Sequence, residues 1–103
     1  MKIYLAGKIT GDPCYKAKFE YAANELQERT SHIVLSPAIL PESGFNHDAY
    51  MRMTAAMLEE CDTVCLLPDW KQSEGAMTEY GRAATRGIRI IEYIDAISGA
   101  MGP

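Results

Sequence analysis

Two segments of this chain hold residues whose types and spacing suit chemistry. The first, Gly7-Lys8-Ile9-Thr10-Gly11, follows a short apolar run and precedes a helical pattern. Its two glycines let the backbone turn tightly and bring N–H groups close to a ligand, and the positive end of the next helix favours an anion. A phosphate or a sugar fits that description, as does a plain strand-to-helix turn. The second segment, Pro68-Asp69-Trp70-Lys71-Gln72-Ser73-Glu74-Gly75, leads into a helix carrying Glu79, six residues beyond Ser73. The dipole of that helix would favour an ionised carboxylate, and an ionised carboxylate at a sugar-sized cleft is the chemistry of a glycosyl nucleophile. The competing reading is a surface glutamate paired with Arg82 at i+3, worth about 0.3 kcal/mol. Trp70 offers a face for stacking on a nucleobase or for filling a subunit contact. Lys8 and Arg52 suit a phosphate or carboxylate partner, or simple solvation.

Those residues need a scaffold, and the pattern of the chain supplies one. Short apolar runs at Lys2–Ala6, His32–Leu35, Thr63–Leu67 and Ile88–Glu92 read as strands, and Thr63–Leu67 is apolar almost throughout, as in a parallel strand covered on both faces. Phe19, Ala22, Ala23 and Leu26 mark the apolar stripe of a helix over Tyr15–Arg29. A second helix is predicted over Asp48–Cys61, capped by Asp48, with Tyr50, Met53 and Met57 along one face. The third starts at Ser73, which can cap it, and stops before Gly87. Residues 36–47, with Pro37, Pro41 and Gly44, form the longest irregular segment, a binding loop or a connector. The tail from Tyr93 is expected to add one turn through Ile94 and Ile97 and to fray at Gly99 and Gly102. Alternating strands and helices with right-handed crossovers give an α/β fold with a mostly parallel sheet of about four strands in the order 2-1-3-4. Winding reverses between strands one and three, which opens a crevice at their carboxyl ends, where both chemical segments emerge.

Composition narrows the function. A chain of 103 residues, 48% hydrophobic and 23% charged, is expected to form one domain with its own core. A net charge of −4 without a basic cluster argues against duplex nucleic acid but leaves room for one nucleotide. No stretch suits a membrane span or a signal peptide, so a cytoplasmic location is expected. Cys14, Cys61 and Cys65 are odd in number and lack C-x-x-C spacing, which implies reduced thiols, and no metal site is expected. With G-x-G-x-x-G missing and Ser36 following strand two, no nicotinamide or flavin cofactor is expected.

Ile3-Tyr4-Leu5-Ala6-Gly7-Lys8-Ile9-Thr10-Gly11, Tyr50-Met51-Arg52-Met53, Cys61-Asp62 and above all the Trp-x-x-Ser-x-Gly-Ala-x-x-Glu run from Trp70 to Glu79 resemble the nucleoside 2-deoxyribosyltransferase-like superfamily. Within it the chain is most similar to a family of short uncharacterised proteins, many encoded by phages and bacteria. The likeness spans residues 2–92. It implies a single domain of this type over residues 1–103, a flavodoxin-like three-layer sandwich, and a pocket for a deoxynucleoside or its 5′-monophosphate. It further implies homo-oligomers, no cofactor, and hydrolysis or transfer at the N-glycosidic bond. By the same resemblance Glu79 is the nucleophile and Tyr4 orients it. Gly7, Lys8, Ile9 and Gly11 lie along the substrate, and Ser73 contacts a phosphate; Asp69, Trp70 and Gly75, in the segment after strand three, are expected at the same site. Relatives carry an aspartate eight residues before the Asp that opens strand three, where this chain has Thr54, counting back from Asp62. A threonine hydroxyl is no general acid near neutral pH, so either another group (Asp12, His47, Asp48 or Asp69) protonates the departing base, or the fold binds nucleotides without turning them over.

Overall fold

In the computed structural model, which describes residues 1–98, the sequence folds around four parallel strands. Strand β1 (Lys2–Ala6) lies between β2 (Ile33–Leu35) and β3 (Thr63–Leu66), and β4 (Arg89–Glu92) completes the order β2-β1-β3-β4 beyond β3. The two central strands are the two most buried, as their unbroken apolar sequences require.

Because strand side chains alternate between faces, β1 and β3 feed two separate cores. Ile3, Leu5, Cys65 and Leu67 point to one side and pack on Phe19, Ala22 and Leu26 of α1 (Tyr15–Thr30) and on Ala96 of α4 (Tyr93–Ile97). Tyr4, Ala6, Val64 and Leu66 point to the other and pack on Leu58 of α2 (His47–Glu59) and on Ala76 and Ala83 of α3 (Glu74–Arg86). The result is a helix–sheet–helix sandwich of the flavodoxin-like kind. Since α1 lies on one face and the crossover α2 on the other, the chain changes winding sense at β1 and β3.

Helix α3 is bounded as its sequence predicts. Ser73 Oγ accepts a hydrogen bond from the Ala76 N–H at 3.1 Å, and Gly87 ends the helix at φ 71°, a left-handed conformation that suits glycine. Helix α2 differs from expectation. It starts one residue early and is capped by Asn46, whose side chain accepts from the Ala49 N–H at 2.8 Å, leaving Asp48 to add negative charge to the first turn. The centre of its inward face is Thr54 and Leu58, and the expected methionine stripe at Met53 and Met57 lies half-buried beside it. In the irregular segment, Pro37–Ile39 form a single 3-10 turn capped by Ser36. The short turn expected after β4 is α4; the fraying expected at Gly99 and Gly102 lies outside the described residues. No described helix is long and apolar enough to cross a membrane.

Candidate active site

Parallel pairing of β1 with β3 sends both chemical segments out of the same end of the sheet. They touch there because residue 7 is glycine: a Cβ on Gly7 would come within 2.7 Å of Leu67 Cδ1 and 3.2 Å of Asp69 Oδ1. Gly11, by contrast, is demanded by its backbone, with φ 83° in the turn before α1. Lys18 ties the segments together. Its ammonium donates to the Lys8 carbonyl at 2.7 Å, to Asp12 Oδ2 at 2.6 Å and to Asp69 Oδ2 at 2.5 Å, which engages all three of its protons. Burial works against that charge, yet the two carboxylates raise the Lys18 pKa overall, and the Lys18 ammonium in turn pulls that of Asp12 down.

Beside this latch opens a cleft of about 520 Å³, within the range of small-molecule sites. The first loop contributes Gly7, Ile9 and Thr10, and the first turn of α3 contributes Ser73, Glu74 and Gly75. The opposite wall is one face of α2: His47, Tyr50, Met51 and Thr54, at i, i+3, i+4 and i+7. Leu40, Pro41 and Glu42 of the long loop lie over it, with the Tyr50 hydroxyl donating to the Pro41 carbonyl at 2.7 Å.

Glu79 lies in the wall of this cleft and is only 6% exposed. It sits on the inward stripe of α3 with Ala76 and Ala83, and these small neighbours let the helix approach β1 closely enough for a direct contact. The fully buried Tyr4 donates its hydroxyl proton to Glu79 Oε2 at 2.5 Å, linking residues 75 apart in sequence. Thr54, 7% exposed, approaches the carboxylate from α2 and donates its hydroxyl proton to the Met51 carbonyl at 3.3 Å.

Burial pushes the Glu79 pKa up to about 7, outweighing the hydrogen bond from Tyr4, the influence of the neighbouring Thr54 hydroxyl and the more distant attraction of Arg82. The expected effect of the helix dipole is overridden, because desolvation of a carboxylate is the larger force. Tyr4 is shifted upward as well, by burial first and then by the neighbouring carboxylate, which keeps its proton in place as a donor. A carboxyl group balanced near neutrality at a cleft can attack when ionised or donate when protonated.

Of the residues singled out in the sequence, Gly7, Ile9, Ser73, Gly75 and Glu79 line the cleft, and Tyr4 reaches it through Glu79. Lys8, Gly11, Asp69 and Trp70 stand outside its lining. Asp69 accepts the Lys8 backbone N–H at 3.0 Å and pairs with Lys18, so it holds the two loops together. Trp70 stacks on Tyr80, ring centroids 4.8 Å apart and planes inclined by 27°, with the Lys71 ammonium 5.7 Å from its centroid. Among the four proposed substitutes for the acid, His47 alone lines the cleft, while Asp12 and Asp69 are bound to Lys18. That His47, Tyr50, Met51 and Thr54 form one wall has no signal in the sequence, because the four mix polar with apolar residues. No group of His, Cys, Asp and Glu suited to a metal ion occurs among the described residues, and Cys65 is a core thiol that burial pushes up to about 12.

Fold and site together define a parallel α/β protein with a carboxylate-bearing cleft at the point where the winding reverses. The chain belongs to the family described as a domain of unknown function (DUF4406), whose model matches residues 1–92. No curated protein matches it.

Proposed function

We propose that the cleft breaks N-glycosidic bonds of deoxynucleosides, with Glu79 as the nucleophile. The observation that carries this reading is the buried Tyr4–Glu79 hydrogen bond at the wall of a cleft of sugar-and-base size. The resemblance to nucleoside 2-deoxyribosyltransferases supports it.

In its ionised form, Glu79 attacks the anomeric carbon while the bond from that carbon to the base nitrogen breaks, and the electron pair leaves with the base. A proton must reach the base as negative charge develops on it. The product is an ester between Glu79 and the deoxyribosyl group, which water hydrolyses or a second base displaces; either route restores the carboxylate. Tyr4 holds Oε2, fixing the carboxylate's orientation and leaving Oε1 to attack. His47, on the cleft wall, is the proton source within this set of residues.

A second reading is favoured by Thr54: with a hydroxyl in place of a carboxyl beside Glu79, the cleft binds a nucleoside or nucleotide and leaves it intact. Incubation with the common deoxynucleosides and their monophosphates, followed by chromatography of free base, separates the two. Base release that falls by about 10³-fold or more in Glu79→Gln supports the glycosidase, since loss of a nucleophile removes a whole covalent route. Release unaffected by that substitution overturns it. Thermal stabilisation by the same compounds without release favours the binding module.

A further inference from the structure

The charge of the cleft selects its substrate. Among the described residues that line it, Glu42, Glu74 and Glu79 are acidic, and no lysine or arginine is present. Two lysines of α1 near it are already engaged. Lys18 is bound to three oxygens of the two loops, and Lys16 pairs with Glu42 at 3.5 Å. The first turn of α3, where an anion would otherwise be welcome, carries Glu74 as its first residue. Ser73 there accepts with its Oγ from the Ala76 N–H at 3.1 Å and with its carbonyl from the Met77 N–H at 2.9 Å, which leaves a single hydroxyl proton and no positive charge for a ligand.

We infer that, granting the glycosidase reading, the substrate is an uncharged deoxynucleoside, and that Glu74 is the residue that disfavours its 5′-monophosphate. A phosphate dianion entering this cleft meets Glu74 and Glu79 and finds no lysine or arginine in the described lining to replace its lost water. It also acts on the nucleophile. A second negative charge near a buried carboxylate favours the protonated form, which cannot attack the anomeric carbon. Ser73 keeps one function toward a neutral ligand: its hydroxyl proton is available to a sugar hydroxyl, because the oxygen is used only as an acceptor in capping the helix.

The test compares kcat/KM for base release from 2′-deoxyadenosine, 2′-deoxyguanosine, 2′-deoxycytidine and thymidine with that from their 5′-monophosphates, in the full chain and in Glu74→Gln and Glu74→Lys. Glu74 is exposed at the start of α3, so both variants are expected to fold, which circular dichroism checks. The free nucleosides should be favoured by about tenfold or more in the unaltered chain. The preference should shrink in Glu74→Gln and shrink further or invert in Glu74→Lys, and added salt should weaken it. Monophosphates used as well as, or better than, nucleosides overturn the inference while leaving the glycosidase reading intact. So does a preference that neither substitution moves. Absence of base release from every compound removes the glycosidase reading and this inference with it.

Discussion

The two faces of the sheet are fed by alternate residues of the same two strands, yet one is sealed and the other carries chemistry. Toward α1 and α4, Ile3, Leu5, Cys65 and Leu67 meet Phe19, Leu26 and Ala96 with no buried carboxylate among the described residues there, and Tyr93, packed against this layer, buries its hydroxyl. Toward α2 and α3, Tyr4 enters a layer of small residues, Ala76 and Ala83, and meets the buried carboxylate of Glu79 and the hydroxyl of Thr54. Large side chains on the covering helix keep its axis away and fill the gap with hydrocarbon. Small ones bring the axis in and place polar atoms of helix and strand within bonding distance. One step along β1, from Ile3 to Tyr4, separates these environments.

The contrast predicts different responses to substitution. On the sealed face, Phe19→Ala removes a fully buried ring and should cost about 3–5 kcal/mol, measured by urea denaturation. A loss below about 1 kcal/mol would show that this face is not the stabilising one. On the other face stability is withheld. Glu79 has a folded pKa of about 7 against an ordinary value of 4.5, so between those pH values the folded protein keeps a proton that the unfolded chain releases. Stability therefore falls as pH rises across that window and levels off above it, by about 3 kcal/mol in all. Glu79→Gln should flatten this slope and make the protein more stable at pH 8, while catalysis is lost. A slope unchanged by the substitution would mean that the carboxylate is not desolvated as its burial indicates.

The sealed face is readable in the sequence, because apolar patterning reports burial directly: the four strands and the α1 stripe follow from it, and the strand order follows from right-handed crossovers. The caps of α3 were readable too, since Ser73 and Gly87 act on their own neighbours. What escaped depends on residues far apart in sequence. The three partners of Lys18 lie 10, 6 and 51 residues away, and no local pattern assembles them. Asp69, a candidate for the ligand site, and Trp70, a candidate for a nucleobase or a subunit contact, engage Lys18 and Tyr80 within the chain. The balance at Glu79 also needed the fold, because desolvation depends on how tightly Tyr4 and Thr54 close over it, whereas the helix dipole is visible in sequence. The α2 wall was hidden for another reason. A cleft lined by His47, Tyr50, Met51 and Thr54 mixes polar with apolar residues and shows no hydrophobic stripe.

Thr54 offers the finest test of how far the polar face is equipped for catalysis. Thr54→Asp places a second carboxyl beside Glu79, and two such groups sharing one site cannot both ionise near neutral pH. One proton is then held by the pair, so one carboxyl can attack while the other delivers a proton to the departing base, a role closed to the hydroxyl. Stability should fall by about 1–3 kcal/mol, because another polar group must be desolvated where Thr54 is now 7% exposed. Base release should nevertheless rise by about tenfold near pH 6. Its pH optimum should shift, because the two ionisations of the carboxyl pair then set the rising and falling limbs in place of Glu79 and the proton source of the unaltered cleft. If the variant folds and turnover drops, proton delivery is not what limits this cleft, and the group already on the α2 wall, His47, suffices.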